Sequence, residues 1–539
     1  MNRAHAPAQA LLLAACAWLP ACGLNQAGVA PPPDTIAYPA SAVLDRNSDW
    51  LIVTNSNADL RYNDGTLIAL SLNRAATDRQ GPPQGMTTWP NCTLVDDPNP
   101  RGDLMHKCCW DAVDNNILNC DERHYIGSDV QAASDDDPTM QKPRGQGNVR
   151  IGSFAAGMVL QQASCPVYCS VCATADFSQT TDRLLIGVRG DTSLTWIDVA
   201  PDPGDPAASP PTFNCTTPPG APLPTEDFAL CNADHRIIEA ASMLAAPMMG
   251  AEQTQVPLPD EPYALAIDDA NGLLFIGHLT GSTARPFSGG FSLFDITPLF
   301  GKTNDPGNPT VTMPGPRFIA PFPSPFPATS LGSVGITAMN VRDDSTIGHV
   351  VFASSRFVPE VAGLGTTATC PELDTPIREI AAFPNGTVYS SPIGGAAETR
   401  GIQFVDYQDP NIPPRAFVLQ RNPPALISFV ESNQSPSDML ETCGSPTFLD
   451  LHDSGLGPRL FVTCFADGEI DVFDPAVPTL ERTFPAGRGP SGLVFDRKRP
   501  VAYVVGFGDN NISVVDLTPG SRTEYHVIQR LGFPRTTPR

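Results

Sequence analysis

Short apolar runs alternating with polar positions recur along this chain, each closed by Asp, Gly, Asn or Pro. The clearest set lies near the C-terminus: Gly492-Leu493-Val494-Phe495-Asp496, then Val501-Ala502-Tyr503-Val504-Val505, then Asn511-Ile512-Ser513-Val514-Val515-Asp516. The same cadence stands one unit earlier as Pro446-Thr447-Phe448-Leu449-Asp450, Arg459-Leu460-Phe461-Val462-Thr463 and Glu469-Ile470-Asp471-Val472-Phe473-Asp474. A period of two marks half-buried strands, and the closing residues mark turns. Middle runs near Ala416, Leu460 and Ala502 begin about 44 and 42 residues apart, the length of one supersecondary unit. Looser copies lie near Trp50, Leu184, Leu274 and Val350, separated by longer gaps.

Seven units imply an all-β fold: a seven-bladed β-propeller, a closed ring of four-stranded antiparallel blades. Closure of the ring removes exposed sheet edges. The tail Glu524 to Leu531 is either the outer strand of the last blade or the strand that closes the ring. Loop insertions at about 75–149, 163–182 and 201–235 interrupt the pattern in the N-terminal half. The largest is rich in Asp, Pro and Asn, so it has little core of its own and disulfides must staple it. It either covers a face or binds a partner.

Composition narrows the class further. Pro (58) and Gly (44) make up about a fifth of 539 residues, which suits many turns and excludes coiled coil. A net charge of −24 repels phosphate backbones, so no nucleic-acid partner is expected. Arg3, the apolar run Leu11 to Trp18 and the exit Leu19-Pro20-Ala21-Cys22 have the layout of a signal peptide over 1–22. Residues 23–40, rich in Ala and Pro, then form a tether, and 41–535 a single propeller domain. Beyond Cys16 and Cys22 the chain carries twelve cysteines, an even set that reads as a disulfide framework in an exported protein. Cys215 with Cys231 and Cys443 with Cys464 are candidate local pairs. Adjacent Cys108 and Cys109 each require a distant partner.

Two resemblances follow from these residues. Leu19-Pro20-Ala21-Cys22 resembles the lipobox of bacterial lipoproteins, with Pro20 an unusual choice there. The resemblance implies that Cys22 is lipidated by acyl chains such as palmitate, and that Gly23 directs the protein to the outer membrane. Val501-Ala502-Tyr503-Val504-Val505, Ile52-Val53-Thr54-Asn55 and Leu460-Phe461-Val462-Thr463 resemble the middle strand of YVTN-type β-propellers. That family includes surface-layer-like proteins, lactonase-like propellers and envelope lipoproteins. Its repeats specify blades rather than active sites, so no catalytic residue is carried over.

Chemistry is sparse. The topology expected of the family places Asn55, Arg61, Arg189, Asp191, His278, Arg356, Asp467 and Asp509 on one face, near the channel mouth. Arg61, Arg189, His278 and Arg356 are the candidates for holding an anionic ligand through charge-assisted bonds. The competing reading makes these residues ordinary polar turn positions. The Cys165, Cys169 and Cys172 spacing lacks the His of a haem motif and reads as disulfides. His106 and His124 flank a cysteine cluster without a paired-His spacing. Asp268-Asp269 and Asp135-Asp136-Asp137 lack the alternation of a calcium loop, so no metal and no cofactor are expected. Nucleophile-elbow and P-loop motifs are missing. The expectation is a monomeric, envelope-anchored binding or scaffold module for an envelope or extracellular protein, glycan or surface polymer. The alternative is a lactonase-like hydrolase with its site at the channel mouth.

Overall fold

The computed structural model describes residues 31–533 apart from residue 33 and the segments 83–87, 93–107, 127–146, 167–168, 171, 178–179, 202–208, 216–230, 232–234, 242–254, 280–289, 302–309, 323–325, 327–334, 345–347, 371, 375–377, 393–397 and 408. The expected signal segment 1–22 with Cys22, and part of the expected tether 23–40, therefore lie outside the described residues, as do His106 and residues 135–137. Among the described residues, no helix is long and apolar enough to cross a membrane.

Seven antiparallel sheets form a propeller with inner strands Pro39–Leu44, Ala155–Gln161, Pro262–Asp268, Ile336–Asp344, Thr399–Val405, Pro446–Asp453 and Pro490–Phe495, which begin blades 1 to 7. Burial within a blade follows the sequence pattern outward. The middle strands Trp50–Asn55, Leu273–His278 and Val501–Gly506 are buried at every position, because both of their faces meet neighbouring blades. Outer strands such as Ser435–Glu441 and Thr479–Pro485 are mostly exposed and correspondingly polar. Each fully buried Leu, Ile, Val or Phe contributes about 1.5–3 kcal/mol, so the middle strands dominate blade cohesion. Blade 4, the loosest repeat in sequence, is a complete four-stranded sheet. Its Gly-rich third strand Glu360–Ala368 pairs with Ile380–Ser390 across a bulge containing Gly386 at φ 81°.

The ring closes without strand exchange. Blade 1 is built entirely from N-terminal strands, and Val527–Leu531 is an outer strand of blade 7, paired with Asn511–Asp516. What bridges the seam is the largest insertion. It leaves blade 1 through the helix Leu72–Gln80, capped by Ser71, and reaches blade 7. There its hairpin, Cys108–Trp110 with Leu118–Cys120, extends that sheet to six strands by parallel pairing with Val527–Leu531. Cys108–Cys120 ties the hairpin together and Cys92–Cys109 ties it to the preceding loop. The insertion does acquire a core, but a shared one: Trp89, Leu118, Tyr125 and Ile126 pack with Leu70 of blade 1 and Val514 of blade 7. Arg530 meets Asp111 at 2.9 Å, Gln529 donates to the Tyr125 hydroxyl at 3.0 Å, and Lys498 meets Asp49 at 2.8 Å across the seam.

The other cysteines are also bonded. Cys215 pairs with Cys231, Cys443 with Cys464, and Cys165 with Cys172, while Cys169–Cys370 joins loops of blades 2 and 4 over a sequence separation of 201 residues.

Replacing Cys108 and Cys120 together by Ala should cost about 2–4 kcal/mol of stability. The expected signature is early loss of hydrogen-exchange protection in Val527–Leu531 and Pro39–Leu44. The Cys443→Ala, Cys464→Ala pair should leave that seam protected. Seam protection unchanged in the first variant would show that the hairpin does not hold the ring shut.

Candidate functional site

One irregularity repeats in every blade at the same end of the channel. Each inner strand shifts register near its start, between Pro39 and Ser41, Ala155 and Met158, Pro262 and Ala264, Ile336 and Ala338, Thr399 and Gly401, Pro446 and Phe448, and Pro490 and Gly492. A bulge leaves one residue unpaired and re-aims its side chain. Before five of these strands the backbone turns through positive φ, at Tyr38, Phe154, Glu261, Ser445 and Gly489. A backbone bond closes each bulge, running from the residue just after the middle strand, or in blade 5 from its last residue, to the carbonyl before the inner strand. The donors are the N–H groups of Ser56, Arg189, Leu279, Arg356, Arg421, Phe465 and Phe507, at 2.8–3.2 Å.

These seven bonds fix a ring of equivalent positions around the mouth, and the residue types divide it. Blades 2, 4 and 5 contribute Arg189, Arg356 and Arg421; blades 6 and 7 contribute Phe465 and Phe507, with ring centroids 6.1 Å apart. Below the ring lies a cavity of about 590 Å³ lined by Arg189, Arg400 and Arg421, by Tyr263, and by Phe154, Phe448, Phe465 and Phe507. Its described lining contains no carboxylate and no histidine. The acids stand behind the arginines: Glu261 meets Arg189 at 2.8 Å, and Glu398 is bonded to Arg400 and lies 3.9 Å from Arg421. Arg400 also donates to the Tyr263 hydroxyl at 3.1 Å, joining blades 5 and 3 across the opening. Deeper in the channel wall, Asn340, Gln403 and Asp450 form a polar chain over blades 4 to 6, with bonds of 3.1 and 3.2 Å. The matching inner-strand positions on blades 1, 2 and 7 are Val43, Val159 and Val494.

Of the residues singled out from sequence, Arg189 lines the cavity and Arg356 occupies the same ring position, stacked over Phe357 at 5.2 Å. Arg61 is more than half exposed and meets Asp59 at 3.3 Å, outside the cavity lining. His278 sits one residue before the ring position, so its side chain points into blade 3. It is fully buried between the Ser292 hydroxyl (2.9 Å) and the Asp260 carbonyl (3.2 Å). Burial pushes its pKa down to about 4, which keeps it neutral at pH 7. Asp467 and Asp509 accept from the backbone N–H groups of Gly444 and Arg488 and so brace the links between blades. Asp191 pairs with Arg236, and Asn55 accepts from the Ala37 N–H. Asp268 binds the Asn271 backbone and side chain as a buried turn brace. Arg400, Arg421 and Tyr263 escaped sequence reasoning. The available signal was positional: Arg421 ends a middle strand where Arg189 follows one, and Arg400 and Tyr263 occupy the bulged second position of their inner strands.

No protein-family model matches the chain, and no curated protein sequence matches it. Among solved structures, a candidate 6-phosphogluconolactonase from Bacteroides uniformis aligns over 68% of this chain and 83% of its own, with 13% identity and a TM-score of 0.36. A second candidate 6-phosphogluconolactonase, from Bacteroides fragilis, covers 66% and 85% at 9% identity and TM-score 0.38. A functionally unknown protein from Desulfotomaculum acetoxidans covers 70% and 90% at 11% identity and TM-score 0.39. Likenesses of this strength carry nothing about ligand or reaction. The class of the protein is therefore that of its fold, a seven-bladed β-propeller of four-stranded antiparallel blades.

The buried His278 and the half-buried Asp450 should oppose each other in their pH dependence. His278 titrates lower in the fold than when unfolded, so the unfolded chain alone takes up its proton between about pH 6.5 and 4. Stability from this group is full above that window and is lost as pH falls. Burial raises the Asp450 carboxyl to about 6, so the fold alone holds that proton between about pH 4 and 6, and stability falls as pH rises. Denaturant titrations from pH 4 to 7 should show a smaller acid loss for His278→Gln than for the parent, and a larger one for Asp450→Asn. Parallel profiles in all three would show these groups to be unshifted.

Proposed function

We propose that this chain is a non-enzymatic binding module of the bacterial envelope, a YVTN-type propeller lipoprotein anchored to the outer membrane through Cys22. Its channel-mouth face takes an anionic group of an envelope protein, glycan or surface polymer. One observation carries the ligand side of this reading: in a chain of net charge −24, the described charges lining the mouth cavity are three guanidiniums. Such a reversal of sign inside a concave site focuses potential on an anion. Glu261 and Glu398, set behind the arginines, hold them in place, so little side-chain entropy remains to be lost on binding. Three guanidiniums against two carboxylates leave one positive charge for a ligand to match.

A lactonase-like hydrolase would need a general base or a metal-ligand set at the reacting atom. The carboxylates bonded to lining residues, those of Glu261 and Glu398, are engaged with arginine, which gives that alternative no specific support.

In cells, a photo-crosslinking residue at Ala58 on the mouth should form an adduct that one at Val477, in a turn at the other end of the blades, does not. Arg400→Gln with Arg421→Gln should cut the adduct by about tenfold or more. Adducts confined to Val477, or steady δ-gluconolactone hydrolysis that this double variant abolishes, would overturn the reading. Labelled palmitate should enter the parent and not Cys22→Ala, and globomycin should block its processing. An unlabelled parent would sink the anchor.

A further inference from the structure

The geometry points to one ligand class for this mouth: a monocarboxylate carried on a flat, apolar body of about the size of one or two aromatic rings. The inference rests on reading the channel mouth as a binding site for anions.

The cavity is two-sided. On blades 2, 3 and 5 stand Arg189, Tyr263, Arg400 and Arg421, with Phe154 next to Arg189 on blade 2. On blades 6 and 7 stand Phe465, Phe507 and Phe448, beside a wall of short residues that includes Gly492, Ala40 and Ala42. Phe465 and Phe507 are tilted by 47° to each other, and Tyr38 packs on Phe507 at 5.5 Å, which leaves the remaining ring faces and edges to a ligand. The volume of about 590 Å³ lies in the range of small-molecule sites and is too small for a folded domain.

The hydroxyl groups in the lining argue against a sugar. Ser56 donates to the Tyr38 carbonyl at 3.0 Å, Thr447 to the Pro490 carbonyl at 3.1 Å, and Ser491 to the Val505 carbonyl at 3.4 Å. Thr337 donates to the Thr399 carbonyl. Four of the five Ser and Thr hydroxyls in the lining thus spend their protons on holding the bulges and strands, Ser41 being the exception. A polyhydroxylated ligand would set its own hydroxyls against phenyl rings and methyl groups, leaving them unmatched as they lose water.

A carboxylate is matched on the other side. Arg400 and Arg421 share Glu398, so one unit of their charge is uncompensated. The Tyr263 hydroxyl accepts from Arg400 and keeps its own proton to donate. The site thus offers charge-assisted donors to one carboxylate and an apolar slot to whatever follows it. A small aromatic acid has that chemistry, and so does the C-terminal residue of a polypeptide ending in Phe.

The test is calorimetric titration of the purified full chain with 2-naphthoate, 2-naphthol, 2-naphthylmethylamine, D-glucuronate, and N-acetyl-Ala-Ala-Phe as free acid and as amide. One site for 2-naphthoate is expected, with binding about tenfold or more weaker for naphthol and the amine. Arg421→Gln, whose side chain is the more exposed of the pair, and Phe465→Ala with Phe507→Ala should each weaken it by about tenfold. Arg61→Gln should not change it. A preference for the free-acid peptide over its amide and over naphthoate would assign the source as a chain terminus, and the reverse preference a small acid. Glucuronate binding that needs Arg421 and ignores the Phe pair would overturn this inference while leaving the mouth an anion site. No probe sensitive to Arg421→Gln, in a variant whose circular dichroism matches the parent, would overturn both.

Discussion

A propeller must bring its first and last blades into register, and everything at the channel depends on that one contact. This chain does it without sharing a strand between the two ends. Blade 1 and blade 7 are each complete, so the seam is held by side chains and by the hairpin Cys108–Cys120 laid along the outer edge of blade 7. Two effects combine there. Parallel pairing satisfies an edge that would otherwise expose unpaired backbone, and the disulfides remove freedom from a segment with too little apolar surface to fold alone. The core at the seam draws on blade 1, blade 7 and the insertion together, which makes closure a cooperative event.

Once closed, the ring imposes seven copies of one backbone device at the mouth. The bulge and its closing hydrogen bond, joined in five blades by a positive-φ residue before the inner strand, are main-chain features, so they tolerate any side chain at the ring position. Ser, Arg, Leu, Arg, Arg, Phe and Phe follow one another around blades 1 to 7 on the same scaffold. Structure is held by the backbone, and recognition is left to side chains free to differ. An amphipathic mouth follows, with guanidiniums on one arc and phenyl rings on another.

Much of the fold was legible because strand alternation is local. Middle strands such as Val501–Gly506 announced themselves through unbroken apolar runs bounded by turn residues. The outer strands of blade 4 did not, since Gly363, Gly365 and Gly386 dilute the pattern where the sheet bulges. The candidate site was less legible than the fold. Arg189 and Arg356 were found by their place after a middle strand, whereas His278, one residue earlier, faces the blade interior and is neutral. A one-residue step along a strand reverses the direction of a side chain. Arg400 and Tyr263 were hidden because a bulge, which no local pattern revealed, is what aims them at the opening.

By itself the sequence determined the repeat, the strand content, the cysteine framework and the acidic surface, all of which depend on neighbours within a few residues or on totals. Tertiary structure decided which cysteines meet, which edge the insertion covers and which three arginines share a cavity. Those outcomes depend on residues hundreds of positions apart, such as Cys169 with Cys370 and Gln529 with Tyr125, brought together by closure of the ring. Local periodicity carries no record of which distant blades will become neighbours.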